Sequence, residues 1–254
     1  MHIMGKSAVN SSDIPVNNAK YRDLVLARGA QYLASTKNVI WYLETLILSA
    51  RFMQLLKSTL WGSNSKLLVN RYQLWNEKLI PKVKSGAVVF EFGVAAGAAT
   101  KWWAKKELPL TAWHGFDTFT GLPTPWNRGG VDVMEAGVFD QSATATEFPV
   151  VRSNYPLIWH RGLISETLVD AKFPIPSDCQ IIIFVDVDLY QPTKEVLSYF
   201  AKYLKNGDLI YFDEGFDPWN EGLALQETMS ELPTLTAIAH TGSALLIEIR
   251  QVHA

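Results

Sequence analysis

From residue 85 to the C-terminus, short apolar runs alternate with stretches of helical spacing, and several of those runs stop at an acidic residue. The runs fall at 87–92, 111–116, 157–160, 180–186, 208–212, 235–239 and 244–249, and helices are expected between them at 98–107, 192–204 and 221–232. Strands that alternate with helices need right-handed crossovers, and so predict a mainly parallel sheet. The runs carry little polar alternation, as expected when helices cover both faces. Pro192 suits the first turn of its helix and Gly207 suits the left-handed residue after it. The last two strands are joined only by His240-Thr241-Gly242-Ser243 and so form an antiparallel pair. The expectation is an α/β fold with a mainly parallel, seven-stranded sheet and an antiparallel last strand.

The first 80 residues read differently. Residues 1–18 form a polar leader, and residues 21–59 have helical spacing. Val39, Leu43, Leu46, Ala50 and Met53 make one apolar stripe that should pack on a neighbouring element. Gly62-Ser63-Asn64-Ser65 punctuates the chain, and a further helix is expected over 66–80. Residues 1–80 therefore read as a leader and helical cap, and 81–254 as the sheet domain. The cap either covers the cleft or forms a homo-oligomer contact. The long segment 121–148, with four Pro or Gly residues between 123 and 130, reads as a lid, a binding segment or a loop holding a small element.

Composition narrows the function classes. With 48% hydrophobic residues the 254-residue chain has ample material for a core. One cysteine excludes a disulfide framework and thiolate zinc, and Cys179 itself reads as inert packing. A net charge of −2 gives no reason to expect nucleic acid. No export signal is visible. Glu44 and Arg51 interrupt the most apolar stretch, 38–56, so no membrane span is expected and a cytoplasmic setting is the default.

In open α/β sheets, ligands bind beyond the carboxyl ends of the strands. The first strand ends Glu91-Phe92-Gly93-Val94-Ala95-Ala96-Gly97. Gly93 permits a tight turn and Gly97 a close approach of backbone to ligand. An acid before that turn suits a ligand with an ammonium group better than a pyrophosphate. Asp117, twenty positions after Gly97, can accept from a ribose diol. Further on, Asp186, Asp188, Asp213 and Glu214 gather at adjacent strand ends. Like charges so placed repel unless a cation joins them or some take up protons. Oxygen ligands alone favour Mg²⁺ or a similar hard ion, with Asp186, Asp213 and Glu214 as its ligands. Asp188 shares the face of Asp186 and is a further ligand or a base. Trp126 and Trp219 could stack on an acceptor, or be partly buried hydrophobes; Arg128 could meet an acidic group or lie in solvent.

Four segments carry a resemblance: Glu91 to Gly97, Gly115-Phe116-Asp117-Thr118-Phe119-Thr120-Gly121-Leu122-Pro123, Asp186-Val187-Asp188-Leu189-Tyr190-Gln191-Pro192-Thr193 and Gly207 to Glu214. With the shorter Arg161-Gly162-Leu163-Ile164-Ser165-Glu166-Thr167-Leu168, they resemble the macrocin-type sugar O-methyltransferases, in the same order over about residues 85–250. The resemblance implies a Rossmann-like class I methyltransferase fold, S-adenosylmethionine as donor and Mg²⁺ at an acidic site. Glu91 and Gly93 would hold the methionine part, Asp117 the ribose, and Asp186, Asp213 and Glu214 the metal. Gly97 and Gly162 join the cofactor set. The family has two aspartates and a tyrosine where this chain has Asp213-Glu214-Gly215, and no motif of it matches the N-terminal region or the 123–148 loop.

The implied activity is Mg²⁺-assisted methyl transfer to a hydroxyl of a small natural product, such as a sugar. Asp186 or Asp188 would take the proton, ahead of His114, His160 or His240. His160 could instead lie near an adenine. Three other readings remain at this stage: a metal-independent methyltransferase acting on nitrogen or carbon, a nicotinamide oxidoreductase, and a non-catalytic binding protein.

Overall fold

The computed structural model describes residues 18–59, 61–129, 132–142, 148–170, 175 and 177–250. All but the last residue of the expected leader therefore lies outside the described residues. Helices α1 (Asn18–Ala34) and α2 (Lys37–Thr59) lead into strand β1 (Trp61–Leu67). A short helix α3 (Arg71–Leu74) follows and continues as a wide turn through Leu79 and a tight one, Ile80–Lys82. The sheet domain then runs β2 (Ala87–Phe92), α4 (Ala98–Ala104), β3 (Leu110–Asp117), the small hairpin β4 (Trp126–Asn127) and β5 (Val133–Met134), and β6 (Leu157–Arg161). It finishes α5 (Ile164–Asp170), β7 (Ile181–Val185), α6 (Tyr190–Phe200), β8 (Leu209–Phe212), α7 (Glu221–Thr228), β9 (Leu235–His240) and β10 (Leu245–Ile249).

The main sheet has eight strands in the order β1-β9-β10-β8-β7-β2-β3-β6. Seven are those expected, with β10 antiparallel to both β8 and β9. The eighth is β1, which pairs parallel with β9 at the edge. Its Gly62-Ser63-Asn64-Ser65 segment reads as a turn by composition, but edge pairing with β9 draws it into extended backbone. The helix expected over 66–80 consequently starts later, at Arg71, where Asn70 caps it by accepting from the Gln73 N–H at 3.0 Å.

The strands bury both faces, as their apolar sequences require. On one face Phe90, Phe92, Ile183, Val185, Ile210 and Phe212 pack under α5, α6 and α7. On the other, Val89, Trp113, Ile182, Phe184 and Tyr211 meet Trp75 and Trp103 in an aromatic cluster. The topological switch lies between β2 and β7, and both chains leave the sheet there together. Gly93, at φ +87°, passes so close to β7's end that an added Cβ would lie 1.7 Å from the Asp186 carbonyl oxygen. No other residue type fits that crossing.

Helix α2 docks by a face offset from the expected stripe. Phe52 and Leu56 are buried in the core, whereas Val39, Leu43 and Leu46 are exposed. Apolar residues lie all round this helix, so periodicity alone could not choose the docked face. Two bonds fix it further: the Trp41 indole N–H donates to the Arg128 carbonyl at 2.9 Å and the Ser49 hydroxyl to that of Phe216 at 3.4 Å. Despite Glu44 and Arg51, Val39–Ser58 is long and apolar enough to cross a membrane by length and composition, contrary to the sequence expectation.

Replacing Leu56 with alanine should cost about 2–5 kcal/mol in urea unfolding, the usual range for a fully buried leucine. A loss below about 1 kcal/mol would mean that α2 is not part of the cooperative core.

Candidate active site

A cleft of about 600 Å³ opens at the carboxyl ends of β2, β3, β6, β7 and β8. Glu91, Gly93, Asp117, Gly162, Asp186 and Asp188 all line it, as do Asp213, Glu214 and Trp126. Two predicted members of the set, Gly97 and Trp219, are missing. Gly97 does not line the cleft; it starts α4 at φ +71°, and its missing Cβ makes room for Pro149, which that atom would meet at 2.7 Å. The space left by the missing Cβ of this glycine is filled by Pro149.

One end of the cleft is built on β2 and β3. Glu91 is 1% exposed. Its Oε2 accepts from the Thr100 hydroxyl of α4, and from the Trp113 indole N–H of β3 at 2.7 Å. Burial outweighs these bonds and pushes its carboxyl up to about 7. No cation acts on it among the described residues, and a buried carboxylate of that kind is a poor structural choice and a good receptor for an ammonium group.

Asp117 braces the turn itself. Its Oδ2 accepts from the N–H groups of Val94 and Ala95, both at 2.8 Å, and its Oδ1 from that of Phe119 at 2.6 Å. Three of a carboxylate's four lone-pair directions are thus spent, leaving one on Oδ1 for a hydroxyl. Gly162, at φ +143°, donates its N–H to the Asp117 carbonyl at 3.1 Å and closes this side of the cleft.

The acidic end is built on β7 and β8. Burial and the neighbouring acids raise the Asp186 carboxyl well above the usual range, and bring those of Asp188 and Glu214 to about 7. Asp188 sits in left-handed backbone at φ +61°, which aspartate tolerates better than most residues. Its anchor was not legible in the sequence. Glu221, fully buried in the first turn of α7, accepts at Oε1 from the N–H groups of Val187 (3.0 Å) and Asp188 (3.2 Å). Its Oε2 accepts from the Glu214 N–H at 3.0 Å. One side chain therefore ties together the two loops that carry the acids.

A second unforeseen residue is Arg71. It reaches in from α3, and its Nη1 lies 3.2 Å from Asp213 Oδ2 and 3.7 Å from Asp186 Oδ2. Asp213 Oδ1 accepts from the Tyr211 hydroxyl. Both oxygens of Asp213 are therefore occupied by donors of the protein. Among the described residues, no group of three His, Cys, Asp or Glu side chains is arranged to hold a metal. Asp186 and Asp213 are brought together around the Arg71 guanidinium, an arrangement that does not fit a hard dication, while Glu214, the third expected ligand, borders the same cleft.

The remaining candidates separate. Trp126 lines the cleft, with the Arg128 guanidinium 4.9 Å from its ring. Arg128 also pairs with Asp132 at 2.8 Å. Trp219 lies instead in a neighbouring cavity of about 620 Å³, between α2 and the 214–219 loop, with Trp41 opposite. Glu214 borders both cavities. None of His114, His160 and His240 lines either one. His114 and His160 face each other at 3.0 Å within stacked aromatic rings, and burial lowers the pKa of both, His114 to about 4. Their strand positions direct them into the core, and His240 ends β9 as a buried residue. Burial likewise raises the Cys179 thiol, in keeping with inert packing. The 121–148 segment holds the small element that its length suggested: β4 and β5 pair at Trp126–Met134 and Asn127–Val133.

No family model matches the chain, and no curated protein matches it. Solved structures do. One is CalS11, described as a calicheamicin methyltransferase, with 24% identity and a TM-score of 0.53 over 80% of this chain and 91% of that one. A second structure, of apo CalS11 and described as a TDP-rhamnose 3'-O-methyltransferase, gives 21% identity and a TM-score of 0.44 over 80% and 93%. The O-methyltransferase NovP gives 16% and 0.45 over 70% and 77%.

Two substitutions test this site. Glu91→Gln keeps an acceptor for Thr100 and Trp113 but removes the charge. Because the folded carboxyl titrates near 7 against an ordinary 4.5, the native state holds its proton longer than the unfolded chain. Its contribution to stability is present below pH 4.5, is lost as pH rises to 7, and is level above that. The variant should therefore exceed the wild type at pH 8 by up to about 3 kcal/mol and match it at pH 4. Equal stabilities at both values would show that Glu91 is not buried as a charge. Glu221→Gln sets an amide N–H₂ against one of the three N–H groups that Glu221 now accepts from. A loss of about 1–3 kcal/mol in thermal or chemical unfolding is expected.

Strand order, the glycine crossing between β2 and β7 and the antiparallel last strand, with the likeness to CalS11, give this chain the Rossmann-like class I methyltransferase fold.

Proposed function

We propose that this protein transfers a methyl group from S-adenosylmethionine to a hydroxyl of a small natural product, a sugar being the class that fits best. The observation that carries this reading is the buried, cation-free carboxylate of Glu91 at the glycine turn, in one cleft with the acids that follow β7 and β8. A negative cleft of this kind suits a ligand bearing both an ammonium and a sulfonium, and is a poor receptor for a dinucleotide pyrophosphate.

S-adenosylmethionine supplies a methyl group already activated by the sulfonium charge. The chain's own residues supply position and a proton acceptor. Glu91 holds the ammonium, the backbone from Gly93 to Ala96 lines the turn beside it, and Asp117 keeps that turn closed while offering Oδ1 to the ribose. Trp126 walls the acceptor side. Asp188, fixed by Glu221, presents its carboxylate oxygens to the cleft and takes the proton of the acceptor hydroxyl. Asp186 is the weaker base, since it faces Arg71. Holding oxygen and methyl in line contributes a large part of the rate that such a reaction needs.

Calorimetry with S-adenosylhomocysteine is the direct test. Binding should release protons at pH 6, because the ligand ammonium favours ionised Glu91, and affinity should weaken as pH falls below 7. Asp188→Asn should keep that affinity and lose about 10²–10⁴-fold in turnover on a hydroxyl acceptor. A protein that ignores S-adenosylhomocysteine but binds NADH would sink the proposal.

A further inference from the structure

We infer that Arg71 is the resident cation of the acidic floor: its guanidinium stands between Asp186 and Asp213 where a divalent ion would otherwise sit, and the protein works without one. Three observations carry this. First, the guanidinium is placed by structure that is itself rigid. Asn70 caps α3, Leu74 and Trp75 are buried just beyond, and the rings of Tyr72 and Trp75 flank the Arg71 guanidinium at 5.5 Å each. An arginine held over aromatic faces needs little reorganisation to meet carboxylates.

Second, donors of the chain already engage Asp213 and Asp186. Arg71 and Tyr211 take one oxygen each of Asp213, and Arg71 also faces Asp186. A small divalent ion demands several oxygens at about 2.1 Å. Bound to the same Asp213 oxygen, it would lie within about 5 Å of the guanidinium and be repelled by it. Third, α3 belongs to the segment ahead of the glycine turn, so the charge comes from an element independent of the loops that carry the acids.

The chemical consequence is specific. A guanidinium lends charge and hydrogen bonds but is no Lewis acid, so it does not acidify a bound alcohol as a metal does. The proton of the acceptor must then leave to a carboxylate, which is the role given to Asp188. The turnover half of this inference rests on the methyl-transfer reading; the ion-binding half does not.

Mn²⁺ binding to the full chain, followed by electron paramagnetic resonance and by calorimetry, is the test. Wild-type protein should show no stoichiometric site, and its turnover should be unchanged by EDTA. Arg71→Ala, and Arg71→Met with its longer apolar stem, should open the site and raise Mn²⁺ affinity at least about tenfold, since removing the cation leaves the acids uncompensated. One tight Mn²⁺ per wild-type chain, or turnover stopped by EDTA and restored by Mg²⁺, overturns the inference. So does a folded Arg71 variant that gains no affinity. The wild-type measurement decides even if both variants fail to fold. S-adenosylhomocysteine binding, run in parallel, separates failure here from failure of the methyl-transfer reading.

Discussion

Negative charge collected at the carboxyl edge of a sheet has to be balanced, and that constraint organises this molecule. Asp186, Asp188, Asp213, Glu214 and Glu221 lie within two loops and one helix start, and Asp186, Asp188 and Asp213 raise the proton affinity of their neighbours. Left alone, such a group would spread apart or neutralise. It is held by two devices. Glu221 commits both carboxyl oxygens to three backbone N–H groups, and so acts as a rivet rather than as a free acid. Arg71 brings a full positive charge from outside the two loops. The remaining acids, with Glu91 at the far end, line the same cleft.

The sheet and its ligand edge were legible because they rest on local patterns. Apolar runs such as Ile181–Val185 have no alternative but a strand buried on both faces, and Pro192 sits in the first turn of α6 by its fixed backbone preference, whereas α6 ends at Phe200, ahead of Gly207, which instead makes a left-handed turn (φ +89°) just before β8. Glu91, Asp117, Asp186, Asp188, Asp213 and Glu214 could be found because each follows or ends such a run. Gly97 was placed in the cofactor set by spacing alone, and spacing cannot say that Pro149 occupies the room its missing Cβ leaves. Trp126 and Trp219 looked equivalent in the sequence; the β4–β5 hairpin turns one into the cleft, and the other sits under α2.

Arg71 and Glu221 were invisible for a related reason. Neither ends a strand, and each acts on residues far away in the chain, Arg71 across 142 positions to Asp213. Glu221 looks like an ordinary acid in the first turn of a helix, where the helix dipole would justify it. Its burial and its three acceptor bonds arise only when β7 and β8 stand side by side. The edge strand β1 is the same kind of case, since its Gly, Ser and Asn content argues for a turn until β9 offers an unpaired edge.

These long-range contacts change what the N-terminal residues are for. A cap that merely covered a cleft could be removed with little effect on the sheet. Here Phe52 and Leu56 fill the core beneath the strands, β1 closes the sheet edge, and Arg71 neutralises part of the acidic floor. The charge that the last two-thirds of the chain gathers is therefore compensated by the first third. Losing that first third would remove the cation that Asp186 and Asp213 share, leaving Asp213 the Tyr211 hydroxyl as its remaining side-chain donor among the described residues. On this view the acidic end of the cleft is a joint property of both parts of the chain, formed only once α3 has docked against β7 and β8.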